Sequence, residues 1–409
     1  MKYIFLLALK NILRYKRRTV LTFLILSFGI AFYLLMFGIV QGYKKQSIDN
    51  FIQFETGHIK IRSASYDKDD PYSISNYINN AEEVKAILKK KSFVKSFTER
   101  IQFLAEVDNG RDSSPCVVVG IDIENDPKVF TLTNYITEGN IFSGGALLGE
   151  SLAKDLSLSI GDYIYITFRN EQGVIDSIEL EVSGIIRSGD PMVNSSTVFI
   201  TLEDAKRHLN TKKVTEIAIL TDNLKKDKKY IKELQKELPD NQIKSWKELS
   251  ESIEIAAKQD EVTTYIFVIF IAVIAIVGII NTMLMSIYEK VREIGTMKAL
   301  GMTDGETQCI FLVEGLIFGV AGGIMGILLG SLFIWYFSIT GYDVAAMMNK
   351  NGSGGMNISH FVRVIYPTWD IPSFFYAFII SVISSTLAAY YPAKKTTKLQ
   401  AAECLRTIQ

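Results

Sequence analysis

Residues able to do chemistry are few and scattered in this 409-residue chain. His58, His208 and His360 share no ligand spacing, and Cys116, Cys309 and Cys404 lie far apart, so neither a metal centre nor a disulfide scaffold is expected. Ser151 in GESLA does not sit in a nucleophile-elbow pattern. Asp122, Glu124 and Asp126 in GIDIENDP could hold a cation, but a solvated turn is the stronger reading. The chain contains neither a G-x-x-x-x-G-K-[ST] phosphate loop nor a dinucleotide fingerprint. The expectation is therefore no catalytic residue, no metal and no cofactor on this chain. Two features remain: a lone carboxylate, Glu314, inside a long apolar run, and the charged stretch IYEKVREIGTMKALGMT at 287–303.

The elements that position these two features are membrane spans. Acids and bases balance and hydrophobic residues make up 48%, which taken as an average fits a globular chain, but the apolar residues are concentrated. Four runs reach the length of about 20 residues that a helix needs to cross a bilayer core: 20–42, 262–287, 309–339 and 372–391. The third is longer than one straight span, so it tilts or projects beyond the lipid. The first exceeds a signal-peptide core and has no small-residue cleavage site, which makes it an anchor. Residues 1–19 carry Lys2, Lys10, Arg14, Lys16, Arg17 and Arg18 and no acid, and Lys394, Lys395, Lys398 and Arg406 follow the last span. That bias predicts both termini, 1–19 and 392–409, and the segment 288–308 in the cytoplasm. Segments 43–261 and 340–371 then face outward.

The long outward segment reads as α+β. Residues 43–54 and 246–261 are expected to be helical stalks that continue the flanking spans. GHIKI, AEEVKAILKKK and FVKSFTERIQFLAEV predict strand, helix and strand, and VTEIAIL, KKDKKYIKELQKEL and NQIKSW repeat that order later. Two β-α-β halves, 55–107 and 214–245, are thus separated by a β-rich insertion, 108–213. Within the insertion DYIYITF and DSIELEVSGII alternate in period two around RNEQG, a hairpin pattern, and Thr201 is placed to cap a following helix.

The stretch 287–303 then reads as helix, stop, helix. Val291, Ile294, Met297 and Leu300 recur every three residues and predict one apolar face, flanked by Lys298. Gly301 suits a C-terminal cap, and Thr303 to Glu306 has capping-box spacing. Such a helix can rest on lipid headgroups, or dock on a cytoplasmic partner and pass motion to both spans. Glu314, about a turn inside the third span, is a functional candidate by position, with a structural hydrogen bond or helix-end role favoured over ion transport. Gly315, Gly319, Gly322, Gly323, Gly326 and Gly330 follow it at overlapping four-residue spacings that allow close helix packing.

NTMLMSIYEKVREIGTMKALGMT followed by FLVEGLIFGVAGGIMGILLG resembles the signature of the FtsX-like permease family of ABC transporters. The end YYPAKKTTKLQAAECLR is similar to that family's C-terminus, and VVVGIDIEND, LLGESLAKDLSLSIGDYIYI and LEVSGII resemble the periplasmic domain of MacB-type and LolC/LolE-type permeases. The resemblance implies that 288–300 is a coupling helix contacting a separate ABC ATPase dimer through Tyr288, Glu289, Lys290, Arg292, Glu293, Met297, Lys298 and Gly301. It implies a porter-like part, 55–107 with 214–245, around the insertion. It also implies ATP and Mg on the ATPase, a second permease subunit, an optional periplasmic carrier or adaptor, contact with membrane lipid, and no nucleic acid. The expected location is the inner membrane. The leading implied role is lipoprotein release, with MacB-like export of peptides or small molecules and FtsX-like signalling to wall hydrolases as alternatives, and a stand-alone membrane receptor outside the family.

Overall fold

A computed structural model describes residues 2–14, 16–140, 145–188, 190–343 and 364–397. They divide into a helical unit, Met1–Tyr43 with Ala256–Tyr342 and Ile365–Gln409, and a mixed unit, Lys44–Ile255 with Asp343–Val364. The expected outer loop 340–371 and C-terminus 392–409 lie largely outside the described residues.

The chain opens with helix α1, Lys2–Arg14, where the basic pattern of the sequence points only to a charged tail. Ala8 is buried, Phe5, Leu6 and Leu9 are exposed, and Arg14 ends the helix, so two faces of α1 are apolar and one edge is cationic. Helix α2, Lys16–Phe51, carries the first apolar run and its continuation. A π-helical turn, Ile52–Thr56, ends it at Gly57, whose φ of 63° suits a residue without a side chain.

Among the described residues ten strands and seven α-helices follow: β1 Ile59–Ser63, α3 Ala81–Leu88, β2 Val94–Asp108, β3 Ser113–Ile121, α4 Asp126–Val129, β4 Ile136–Gly139, β5 Ala146–Gly149 and α5 Glu150–Asp155. After them come β6 Tyr163–Arg169, β7 Ile175–Ile186, α6 Pro191–Ser196, β8 Thr197–Thr201, α7 Leu202–His208, β9 Glu216–Thr221, α8 Asp227–Glu237, β10 Asn241–Ser245 and α9 Trp246–Leu249. The strand order is β10-β1-β9-β2-β3-β8-β5-β7-β4, and β6 pairs with both β2 and β7. Strands β2, β3, β8, β5, β7 and β6 therefore close on themselves as a small barrel. Closure removes the open edges that a flat six-stranded sheet would leave. Alternate residues fill its interior, among them Phe103, Val118, Leu148, Ile164, Ile166, Val182 and Val198. Cys116 lies there too, and burial pushes its thiol up to about 12, so it packs as an inert small side chain.

Strand β2 belongs to two structures at once. Its first half pairs with β9 as far as Arg100↔Glu216, and its second half pairs with β3 from Arg100↔Ile121. The boundary of the inserted part thus falls within β2, earlier than the 108 expected from turn residues, because one long strand changes neighbours along its length. On the β9 side α3 and α8 supply Val84, Leu88 and Leu234 to the core, and Tyr230 stacks on Phe93 at 4.3 Å.

Arg100 stands where β2 changes neighbours, and it is 1% exposed, as is its partner Asp126. Its Nε and Nη2 donate to the two carboxylate oxygens at 2.7 and 2.8 Å, and Nη1 donates to the Phe54 carbonyl at 2.6 Å. The guanidinium also lies 3.5 Å from the Phe130 ring centroid. Asp126, one of the three acids read as a solvated turn, is thus internal, while Asp122 organises that turn by accepting from the amides of Glu124 and Asn125.

The helical unit is completed by α10, Glu251–Glu289, α11, Val291–Ala299, α12, Asp304–Thr340, and α13, Ile371–Thr397. Among the described residues four helices are long and apolar enough to cross a membrane: Thr19–Thr56, Ala272–Glu289, Asp304–Thr340 and Ile371–Thr397. Six of the seven glycines of α12 form two rows. A Cβ at Gly322, Gly326 or Gly330 would meet Leu26 at 3.0 Å, Ile30 at 2.6 Å or Leu34 at 2.9 Å on α2. Gly315, Gly319 and Gly323 face α13 in the same way, against Ala389, Val382 and Phe378. Ser27 and Ser381 donate across these seams to the carbonyls of Gly322 and Gly319.

Two outcomes follow from this packing. Arg100→Met or Asp126→Asn leaves a buried group without its partner and should cost about 3–5 kcal/mol. Hydrogen exchange in the intact protein should then accelerate at β2 and β9, and unchanged protection there would refute the assignment. Gly326→Leu should destabilise the α2–α12 seam by at least the roughly 1–3 kcal/mol of an overpacked core, lowering the thermal midpoint of the detergent-solubilised protein.

Candidate functional site

Helix α10 ends at Glu289, and Lys290, with φ −107°, breaks the helical path before α11 begins. At the other end Gly301 takes φ 99°, which returns the chain, and the amide of Met302 donates to the Met297 carbonyl at 3.1 Å. Thr303 and Glu306 then form a complete capping box at the start of α12. The segment 290–303 is thus a discrete helix between two stops.

Its inner face is tied to three neighbours. Ile294 is buried with Ile287, Phe311 and Ala393, and Met297 packs half-buried against them. Lys290 and Glu314, with side chains 3% and 5% exposed, form an ion pair at 3.6 Å that joins the start of α11 to α12. Lys298, 8% exposed, pairs with Asp304 at 2.7 Å and donates to the Thr396 carbonyl at 3.0 Å, so it joins α11 to both α12 and α13. On the surface Arg14 of α1 pairs with Glu293 at 2.6 Å. The hydroxyl of Tyr288 accepts from Lys395, whose ammonium also lies 4.8 Å from the tyrosine ring centroid.

The outer face is not the one that the three-residue spacing predicts. Leu300 is 84% exposed and does not continue the stripe, because Leu300 caps α11 and the chain turns away there. The family resemblance implies a partner contact for Lys290 and Lys298, and the structure turns both inward, each to a carboxylate. Tyr288, Glu289, Arg292, Glu293 and Gly301 remain exposed. Glu314 is buried and faces Lys290. Arg14, Asp304 and Lys395 belong to the site without having been assigned to it from the sequence. The repeat of apolar residues in KYIFLLALKNILR carried the signal for α1, whereas the pairings of Asp304 and Lys395 depend on where helix ends meet.

The remaining candidates are not assembled into a chemical site. His58 Nδ1 lies 3.0 Å from the Thr221 hydroxyl and accepts from the Thr221 amide at 3.2 Å, and burial lowers its pKa. Among the described residues no group of three or more His, Cys, Asp or Glu side chains could hold a metal ion.

Four apolar helices with a large α+β unit inserted after the first define an integral membrane protein whose bulk lies in an extramembrane domain. The profile described as FtsX-like permease C-terminal matches residues 265–401, and that described as MacB-like periplasmic core domain matches residues 19–237. The chain belongs to the family of ABC transporter permeases that combine these two regions. It is 22% identical to the lipoprotein-releasing system transmembrane protein LolE of Haemophilus influenzae, over 93% of this chain and 92% of that one. It is 23% identical to the uncharacterized ABC transporter permease YknZ of Bacillus subtilis, over 98% of both chains. The macrolide export ATP-binding/permease protein MacB of Haemophilus ducreyi is 22% identical over 98% of this chain and 55% of its own length.

The Lys290–Glu314 pair yields a double-mutant cycle. Lys290→Met or Glu314→Leu alone breaks a buried ion pair and should destabilise the solubilised protein by about 3–5 kcal/mol, whereas the double variant should recover part of that loss. Additive losses in thermal unfolding would show that the two side chains do not interact.

Proposed function

We propose that this permease subunit receives ATP-driven motion through α11 from a separate ABC ATPase and delivers it to its extramembrane domain. ATP and its magnesium ion would be held by that ATPase, and a second permease subunit would complete the assembly. The observation that carries this reading is the mounting of α11. Its inner face is fixed to α12 and α13 by hydrophobic contact and ion pairs and its edge to α1 through the surface Glu293–Arg14 pair, while its outer face presents Arg292 and the uncovered Leu300. A helix held this way moves as one body with its neighbours when pushed from outside, which a loosely tethered loop does not. The reading places α11 and both termini in the cytoplasm, in agreement with the flanking basic residues.

Lipoprotein release from the outer leaflet of a cytoplasmic membrane is the substrate role we favour. It is supported by the similarity to LolE over nearly the whole of both chains. MacB-like export is the second reading, favoured by the similarly long match to the permease part of MacB. Depletion separates them: lipoproteins should accumulate in the cytoplasmic membrane under the first reading, and normal sorting would eliminate it.

Charge reversal at Arg292 and Glu293 together should abolish substrate- or assembly-stimulated ATPase activity of the complex while membrane insertion stays normal. Full stimulated activity in that double variant would refute docking at α11. Because Glu293 also holds Arg14, Arg14→Gln serves as the control for loss of that pair alone.

A further inference from the structure

The extramembrane unit contains a cavity of about 560 Å³, within the range of roughly 300–1,000 Å³ usual for small-molecule sites. Both segments that lead to the membrane helices line it, through Phe51 and Glu55 on one side and Glu248 and Glu251 on the other. Its floor is charged and buried. Lys60 Nζ pairs with Glu216 at 2.6 Å, and Gln102 Nε2 donates to the other oxygen of that carboxylate at 3.1 Å. Burial drives the Lys60 ammonium down in pKa and the Glu216 charge opposes the shift, so the two form a self-compensating pair. An ion pair in this setting contributes little net stability compared with apolar packing, so its presence at a cavity floor calls for another reason.

Arg62 is the next residue up. Its side chain is 14% exposed, and its guanidinium lies 4.1 Å from the Tyr66 ring centroid and 4.0 Å from Glu216. Among the described residues that guanidinium makes no hydrogen bond. A planar cation with five donors, held against an aromatic ring and largely desolvated, is prearranged for an oxyanion. The charge balance of the lining restricts which oxyanion. With Lys60 and Glu216 cancelling, the cations Arg62, Lys68 and Lys244 remain against the carboxylates of Glu55, Glu248 and Glu251. Among the described residues neither lysine and none of these three carboxylates forms an ion pair. Burial raises the pKa of Glu55 and so favours its neutral form, but a simple anion would still meet the carboxylates of Glu248 and Glu251 there, and a simple cation would meet three cationic side chains.

We propose that this cavity binds a small zwitterion carrying an oxyanion and a primary ammonium, with the oxyanion on Arg62 and the ammonium at Glu248 and Glu251. Tyr66 and Tyr72 supply the wall between the two charges. The chemistry occurs both in a phosphoethanolamine headgroup and in the termini of a short peptide, and it is independent of whether α11 docks an ATPase.

Calorimetric titration of the full-length protein in detergent tests the site with four probes: glycerophosphoethanolamine, trialanine, glycerophosphocholine and glycerol 3-phosphate. Saturable binding of either of the first two is expected, and the one that binds identifies the source. Arg62→Gln, and separately Glu248→Gln with Glu251→Gln, should each weaken it about tenfold or more, the scale of a lost charge-assisted hydrogen bond. Arg62→Lys should restore part of the loss. If Arg62→Gln lowers the thermal midpoint, the glutamate variant still decides, because both its side chains are exposed. The proposal fails if neither zwitterion binds, or if binding survives the glutamate substitutions. It fails equally if glycerol 3-phosphate, or glycerophosphocholine with its quaternary nitrogen, binds as tightly.

Discussion

Helix α12 can carry a helix on each side only because nothing projects from its two glycine rows. In lipid there is no hydrophobic force to press helices together, so close approach, dispersion contact and hydrogen bonds to exposed carbonyls must supply the association. Gly322, Gly326 and Gly330 admit Leu26, Ile30 and Leu34 of α2, and Gly315, Gly319 and Gly323 admit α13. The consequence reaches α11. Its anchors, Glu314 and Asp304 on α12 and the Thr396 carbonyl on α13, occupy fixed positions only if these seams are closed. The buried Lys290–Glu314 pair is then a joint between two helices that the glycines have already set in place.

The extramembrane unit solves a different problem, joining an antiparallel sheet to a closed barrel without a flexible linker. One strand, β2, serves both, and Arg100 sits at the changeover. Its three hydrogen bonds reach Asp126 beyond β3 and the Phe54 carbonyl before β1, so segments distant in sequence converge on one guanidinium. Arginine suits that role because its planar fork stays charged and satisfies several acceptors in fixed directions.

Much of this was legible in the residues themselves. Apolar runs marked the four spans, period-two alternation marked the β6–β7 hairpin, and Thr303 with Glu306 marked the start of α12. Glycine spacing predicted close packing without naming the partners. What could not be read was which face of a short helix turns inward. A three-residue repeat placed Leu300 with the buried residues although it is exposed, and it gave no sign that Lys290 and Lys298 turn inward to carboxylates. Helix α1 went unrecognised because its basic residues dominated the pattern. Barrel closure was invisible too, since each strand shows the same alternation whether its sheet is open or closed.

The sequence by itself determined what is local or additive: span length from summed hydropathy, helix ends from caps and glycine, strand faces from alternation, and family from motifs that recur along one chain. Tertiary structure decided what depends on meetings between distant segments. It joined Lys290 to Glu314, Arg14 to Glu293 and Arg100 to Asp126, and it gathered Arg62, Lys244 and Glu248 around one cavity. A charge in a sequence is compatible with solvent or with any opposite charge. Only the fold, by removing water and limiting distance, selects its partner.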